Sequence, residues 1–367
     1  MGRNHDIVVA LKKLKKMKNG TLYVALCIVV ISLLTVYSAT IHKSMSFVYK
    51  ELVWTGLGIG TYFVFSFIDY RLYGKYYKII YTVNIILLLL VFVIGEKRLG
   101  AQRWINLGFI TIQPSEFSKL FIVLTFSEVL SNKFNTRFVG LKNIFLTGIH
   151  IVPVFLLIAA QPDLGTSLVI IFLYLILIFI NGIDWKTIIM IAISGISMAP
   201  IGYFFLLKDY QKERVLTFLN PEADLLGSGW NVTQSMIAVG SGGVFGKGFL
   251  KGTQSKLRFL PESHTDFIAA VFLEERGLIG GVILLILYAL LIWNILRIGD
   301  KADPFGKLVC YGISAIIFFH IVVNIGMVMG IMPVTGLPLL LMSYGGTSFL
   351  FTFAMLGIVQ SINIYRE

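Results

Sequence analysis

The chain has 367 residues, 57% of them hydrophobic and only 14% charged, with a mean hydropathy of +0.84. A soluble domain carries about 25% charged residues, so the composition excludes one and fits a polytopic membrane protein with room for roughly ten spans of about 20 residues each. The net charge of +12 does not point to nucleic acid, because the basic residues sit in short segments between apolar runs, where Lys and Arg mark the cytoplasmic side of a membrane.

In chain order, the basic stretch "LKKLKKMKNG" leads into an apolar run at 21–40. This run lacks a small-residue cleavage site and reads as an uncleaved first span. Further runs of spanning length lie at 49–68, 77–95, 114–131, 143–160, 164–182, 185–207, 267–296, 306–330 and 338–363. With the N-terminus inside, the inside segments and their flanks hold 17 Lys/Arg, against five in the short outside segments 41–50 and 96–113. That asymmetry places both termini in the cytoplasm. The expected fold is all-α and polytopic, a single integral-membrane domain over 1–367.

Between spans seven and eight, residues 208–265 form a long extracytoplasmic loop with 7 Lys/Arg, 5 Asp/Glu and 8 Gly. Loops of this length are usually functional. Its part "WNVTQSMIAVGSGGVFGKGF" alternates apolar pieces with glycine and predicts an interfacial or partly re-entrant layer. Cys27 and Cys310 both fall in apolar runs, as buried thiols would. Walker A, HExxH and GxSxG patterns are absent from the sequence, so no nucleotide site is expected.

Four polar clusters interrupt this apolar chain, all at the outer half of the membrane in this topology. In "AQRWINLGFITIQPSEFSKL", Pro114 suits a first helical turn, and Glu116 and Lys119, three apart, share a helical face. In "QPDLGTS", Asp163 starts a span, as an N-cap would. Lys212 and Arg214 lie in the long loop. The last cluster, "PESHTDFIAAVFLEERG", holds Glu262, His264, Asp266, Glu274, Glu275 and Arg276. Ionisable groups inside a span are functional candidates by default, and their convergence predicts a polar cavity. Asp266 and Glu274, eight apart, are expected to share one helical face about 12 Å from end to end. Glu274, Glu275 and Arg276 are expected as a structural polar brace.

The stretches "QRWINLGFITIQPSEFSKL", "QPDLGTSL", "GSGGVFGKGFLKGTQSKLRFLPESHTDFIAAVFLEERGLIG" and "MGIMPVTGLPLLLMSYGGTSFL" carry a resemblance to the SEDS family (shape, elongation, division and sporulation). The short N-terminal tail and the end just after the last span are most similar to its elongation-type members. The resemblance implies a peptidoglycan glycosyltransferase that polymerises lipid II on the outer face of the bacterial cytoplasmic membrane. It implies as partners a class B penicillin-binding protein, which supplies transpeptidation, and the membrane proteins of an elongation complex. The family's essential aspartate falls on Asp266, its polar pair on Glu116 and Lys119, its Q-P-D motif on Asp163, and its R-W motif on Arg103 and Trp104. Ser263 departs from the pattern, alanine being commoner there.

On this reading Asp266 is the base that takes the acceptor hydroxyl's proton. Arg103, Lys119 and Arg214 are candidates to meet the leaving diphosphate, with Glu262 and His264 also placed at the substrate. A divalent cation, Mg or Mn, on Glu116 or Asp163 could do the same work. A lipid II flippase is the competing expectation, since ten spans with internal charges suit a transporter too.

Overall fold

The computed structural model describes residues 17, 19–98, 101–106, 108, 111–133, 141–201, 212, 216–218, 228–257 and 259–366. Arg214, within the long loop, lies outside the described residues. We label the helices among those described α1 (Gly20–Thr40), α2 (Ser46–Phe67), α3 (Arg71–Lys75), α4 (Tyr77–Ile94), α5 (Pro114–Lys133), α6 (Leu141–Ala160) and α7 (Leu164–Ile180). The chain continues with α8 (Trp185–Ile201), α9 (Ser228–Gly242), α10 (Thr253–Lys256), α11 (Ile268–Gly299), α12 (Pro304–Val328) and α13 (Gly346–Tyr365).

Each expected span has a helix. α1, α4, α11, α12, α13 and the Asn143–Ala160 part of α6 are long and apolar enough to cross a bilayer. α2 and α5 are of spanning length but carry charges, and α7 and α8 have 17 residues each. Within these helices the hydroxyls turn back on the chain: Thr35, Thr40, Ser66 and Thr352 each donate to the carbonyl four residues earlier. This satisfies polar groups where water is absent.

α13 is the central helix and is buried along almost its whole length. It packs most extensively against α2, where Gly58 faces Phe353 and Gly357 faces the Tyr62 backbone. Small residues let the two backbones approach closely. α8 lies at the periphery, with Trp185, Ile189, Met190 and Ile193 exposed.

The chain ends mark one face of the bundle. Tyr365 Oη donates to Phe67 O at 2.6 Å, Arg71 Nη2 to Tyr365 O at 3.3 Å, and Arg366 Nη1 to Ile298 O at 3.3 Å. Gly20 lies beside Asn294 on the same side. The opposite face carries the polar clusters.

Four details depart from the sequence expectations. The run 338–363 is not one helix. Its first part, Leu339–Met342, is buried but turns back on itself, and α13 begins only at Gly346. Pro333, Pro338 and the Gly345–Gly346 pair deny a helix there, while hydropathy reports only burial. On the outer side a small antiparallel sheet forms, in which β2 (Ala101–Asn106) pairs with β1 (Glu96–Arg98) and with β3 (Thr111–Ile112). Cys27 is exposed on α1, and only Cys310 is buried.

The fourth detail concerns α11. Asp266 lies outside the helix, whose N-cap is Phe267 with no side-chain cap bond, so Asp266 and Glu274 do not share a helical stripe. The helix also breaks at Gly277 (φ 62°, ψ −163°). Glu274 O and Glu275 O accept from Lys247 N and Gly248 N at 3.0 Å each. Leu278 N and Ile279 N donate to Gly243 O and Val244 O at 2.9 and 3.1 Å. The segment 243–248 thus takes up backbone groups that the helix gives up at its break, as buried backbone in a membrane requires.

Candidate functional site

The outer face opens into a cavity of about 910 Å³. Helices that start on this face point their N-termini at it. The first turns of α2 (Tyr49, Lys50), α5 (Glu116), α7 (Thr166) and α13 (Thr347, Ser348) line it, as do Thr265 and Asp266 just ahead of α11. Each such end adds partial positive charge, which suits an anionic ligand.

Among the residues expected at a site, Arg103, Glu116, Asp163, Glu262 and Asp266 all line this cavity, and so does Trp104. The sheet carries Arg103 over the α6–α7 turn. Its guanidinium donates to Gln161 O at 3.2 Å and to Pro162 O, and Nη1 lies 3.8 Å from Asp163 Oδ1. Asp163 is the N-cap of α7, accepting from Thr166 N at 3.3 Å. Its Oδ2 also accepts from Ser115 Oγ at 2.8 Å and from Gln113 Nε2 at 3.0 Å. Asp163 therefore joins α5 to α7 with both oxygens engaged.

Glu116 differs. Oε1 accepts from Lys119 Nζ at 2.8 Å, while Oε2 is buried and has no protein partner. Lys119 has no exposed surface and sits beneath the cavity floor, 3.0 Å from His320 Nε2 and 4.8 Å from the centre of the Phe351 ring. It is not placed to touch a ligand; the expectation of a direct diphosphate contact gives way to a role through Glu116.

Asp266 is held by its backbone. Asn324 Nδ2 donates to Asp266 O at 2.9 Å, and a methyl group at Gly336 would lie 3.7 Å from Asp266 Oδ2. His264 does not line the cavity. Its ring packs between Phe47 and Tyr344, at centroid distances of 4.7 and 5.6 Å, and its carbonyl accepts from Tyr344 N at 2.9 Å. Burial, with the charge of nearby Lys43, lowers its pKa, so the ring is neutral at pH 7.

Glu274, Glu275 and Arg276 stand apart from the cavity. Glu274 is fully buried and accepts from Lys247 Nζ, Thr253 N and Thr253 Oγ1 at 2.7–2.8 Å. Glu275 accepts from Ser38 Oγ and from Leu250 N at 3.1 Å. Arg276 is exposed, with its guanidinium 5.4 Å from the Phe249 ring centre.

Sequence reasoning passed over Lys50 and Trp54, the Thr335–Pro338 turn and the Tyr344–Ser348 stretch, all of which line the cavity. The last two lie in the motif at 329–350, but they carry no charge, and charge was the signal followed.

A family model described as cell cycle protein, FtsW/RodA/SpoVE, matches residues 17–367. The chain is 42% identical over 350 residues to the peptidoglycan glycosyltransferase MrdB of Escherichia coli K12, covering 94% of this chain and 93% of that one. Its fold is similar to a chain solved in work on "structural coordination of polymerization and crosslinking by a peptidoglycan synthase complex". There the TM-score is 0.83 at 30% identity, over 95% of this chain and 98% of the other. The rod shape determining protein RodA of Thermus thermophilus also matches, with a TM-score of 0.72 at 27% identity over 96% and 98% of the two chains.

Proposed function

The chain belongs to the FtsW/RodA/SpoVE family of cell cycle proteins, and we propose from that membership that it polymerises lipid II at the outer face of the bacterial cytoplasmic membrane. It is a peptidoglycan glycosyltransferase serving cell elongation and rod shape, the activity for which its relative MrdB is named.

The observation that carries the mechanism is the position of Asp266: outside its helix, at the wall of a cavity ringed by helix N-termini. Lipid II presents a disaccharide-peptide on an undecaprenyl diphosphate. The 4-hydroxyl of the acceptor sugar attacks the anomeric carbon of the growing chain, and the bond to the diphosphate breaks. The donor bond is α and the product β, so one inverting displacement suffices. Asp266 accepts the hydroxyl proton. Arg103, Lys50 and the helix N-termini face the charge that develops on the leaving diphosphate. A cavity of about 910 Å³ falls in the usual range of about 300–1,000 Å³ for ligand sites and has room for sugars while the lipid tail stays in the bilayer.

A divalent cation fits the donor set in one respect. Glu116 Oε2 is buried without a partner beside the cavity, whereas the oxygens of Asp163 are already engaged. Among the described residues no group of three His, Cys, Asp or Glu side chains could hold a metal by itself. Glu116, with the substrate's phosphates, would hold such an ion, which would neutralise charge on the leaving group.

The flippase reading finds less support. A transporter needs a polar route through both leaflets, and Lys119, His320 and Phe351 pack together below Glu116, all without exposed surface. Transpeptidation would come from a class B penicillin-binding protein, in line with the synthase complex to which the fold is similar, alongside other membrane proteins of an elongation complex.

The test is a polymerisation assay with purified protein, fluorescent lipid II and a gel that resolves glycan strands. Wild type gives polymer and Asp266→Asn gives none, with expression and partner binding intact. Normal strands from Asp266→Asn would end the assignment of the base. Lipid movement between leaflets without any polymer would favour the flippase.

A further inference from the structure

α12 contributes no residue to the cleft's charged lining, yet two of its buried side chains fasten the reactive wall. His320 and Asn324 are four apart, on one face, and neither has any exposed surface. Asn324 Nδ2 donates to Asp266 O at 2.9 Å and to Leu337 O at 2.8 Å. Its Oδ1 has no partner, so the side chain serves as a two-hydrogen donor, with one hydrogen for each carbonyl.

His320 is tied in the same way. Nδ1 lies 2.8 Å from Pro338 O, which can only accept, so Nδ1 carries the hydrogen. Nε2 is then a lone-pair acceptor, and it meets Lys119 Nζ at 3.0 Å. The three hydrogens of Lys119 are thereby assigned: one to Glu116 Oε1, one to His320 Nε2, and one toward the face of Phe351. The chain of contacts fixes His320 as a neutral ring in a single tautomer.

Three pieces of the cavity wall thus hang from one turn of α12. They are Glu116 on α5, the turn at Leu337–Pro338, and Asp266 ahead of α11. Asp266 has no helical frame of its own, and its carbonyl is anchored to Asn324. The Leu337–Pro338 turn runs beside the Asp266 carboxylate through Gly336. A shift of this turn of α12 would move the carboxylate relative to Glu116 and the helix N-termini.

We propose that Asn324 and His320 are positioning residues for the glycosyl transfer: they set the separation of Asp266 from Glu116 without touching substrate. The proposal rests on Asp266 being the base. A misplacement of about 1 Å costs on the order of 100-fold in rate, so such a brace is read in turnover more than in binding.

The experiment compares Asn324→Leu, His320→Leu and His320→Gln by turnover, by affinity for fluorescent lipid II and by melting temperature in detergent. Leucine at 324 keeps the branched outline and removes both donated hydrogens. It is expected to lower turnover by about ten- to hundred-fold while the Kd for lipid II changes less than about two-fold. His320→Leu should behave alike. Glutamine can donate to Pro338 O and accept from Lys119, so His320→Gln should recover about ten-fold or more of what His320→Leu loses.

Wild-type turnover in Asn324→Leu would overturn the proposal. So would a joint loss of binding and melting temperature, which marks a plain scaffold, or a folded His320→Gln no more active than His320→Leu, which marks a titrating imidazole. The two readings fail differently. Normal strands from Asp266→Asn would remove the base, whereas an inactive Asp266→Asn beside a fully active Asn324→Leu would remove only the brace.

Discussion

Lys119 Nζ lies 2.8 Å from Glu116 Oε1, and the lysine has no surface open to the cavity that Glu116 lines. The pair divides the work between two residues of one helical turn: the carboxylate meets the cavity, and the ammonium holds its orientation from below. Lys119→Ala leaves Glu116 as an uncompensated charge in a buried place and should cost about 3–5 kcal/mol of stability, with a fall in turnover. The double variant Glu116→Gln, Lys119→Met removes both charges and should recover stability, measured by thermal melting, but not polymer on the gel. Full turnover in Lys119→Ala would confine the pair to structure.

Glu274 anchors the end of the long outer loop. Its Oε1 gathers Lys247 Nζ, Thr253 N and Thr253 Oγ1 within 2.8 Å, and Lys247 is its charge partner. Glu274→Ala leaves the half-buried Lys247 without its carboxylate and two Thr253 donors unmatched, a loss of about 2 kcal/mol. Amide hydrogen exchange should speed up at 243–256 and hardly change at α13. Unaltered protection of 243–256 would show that the loop is held by other means.

The break in α11 depends on Gly277. A methyl group there would collide with Gly246 N and Val244 O, and one at Gly246 would collide with Glu275 O. With φ at 62° and ψ at −163°, the position suits glycine alone. Gly277→Ala and Gly246→Ala should each lower the melting temperature, and because both disrupt the same splice the double variant should lose less than the sum. Strict additivity would separate the two sites.

His264 gives the outer face a dependence on pH. Burial, chiefly, and Lys43 lower its pKa below the ordinary 6.5, against a smaller opposing effect of Glu262. As pH falls through 6.5, the unfolded chain takes up a proton that the folded ring still refuses. The contribution to stability is therefore complete above that pH and is lost below it. Melting in detergent should decline from about pH 7 to about pH 5, and His264→Phe, which keeps the packing against Phe47 and Tyr344, should flatten that decline relative to wild type. An identical decline in the variant would assign it to other groups.

Much of the architecture was legible because a bilayer imposes simple rules on a chain. Apolar runs of spanning length located the helices, basic residues set their direction, and ionisable groups within those runs or in the outer segments beside them picked out Arg103, Glu116, Asp163, Glu262 and Asp266 as candidates for one polar cavity. Those signals are local, since each residue carries its own transfer cost wherever the chain takes it. The family motifs added which activity to expect.

Only the tertiary structure decided which partner each group meets. It put Lys119 under the floor, filled both oxygens of Asp163 and left Glu116 Oε2 without a partner. It moved Asp266 off the helix and hung it from Asn324, 58 residues away in the chain. It also turned the apolar stretch Leu339–Met342 into a buried bend rather than the start of α13. The physical reason is that hydrophobicity measures how much a residue gains by leaving water. The direction of a hydrogen bond depends on where two distant segments cross, and no local pattern encodes that crossing.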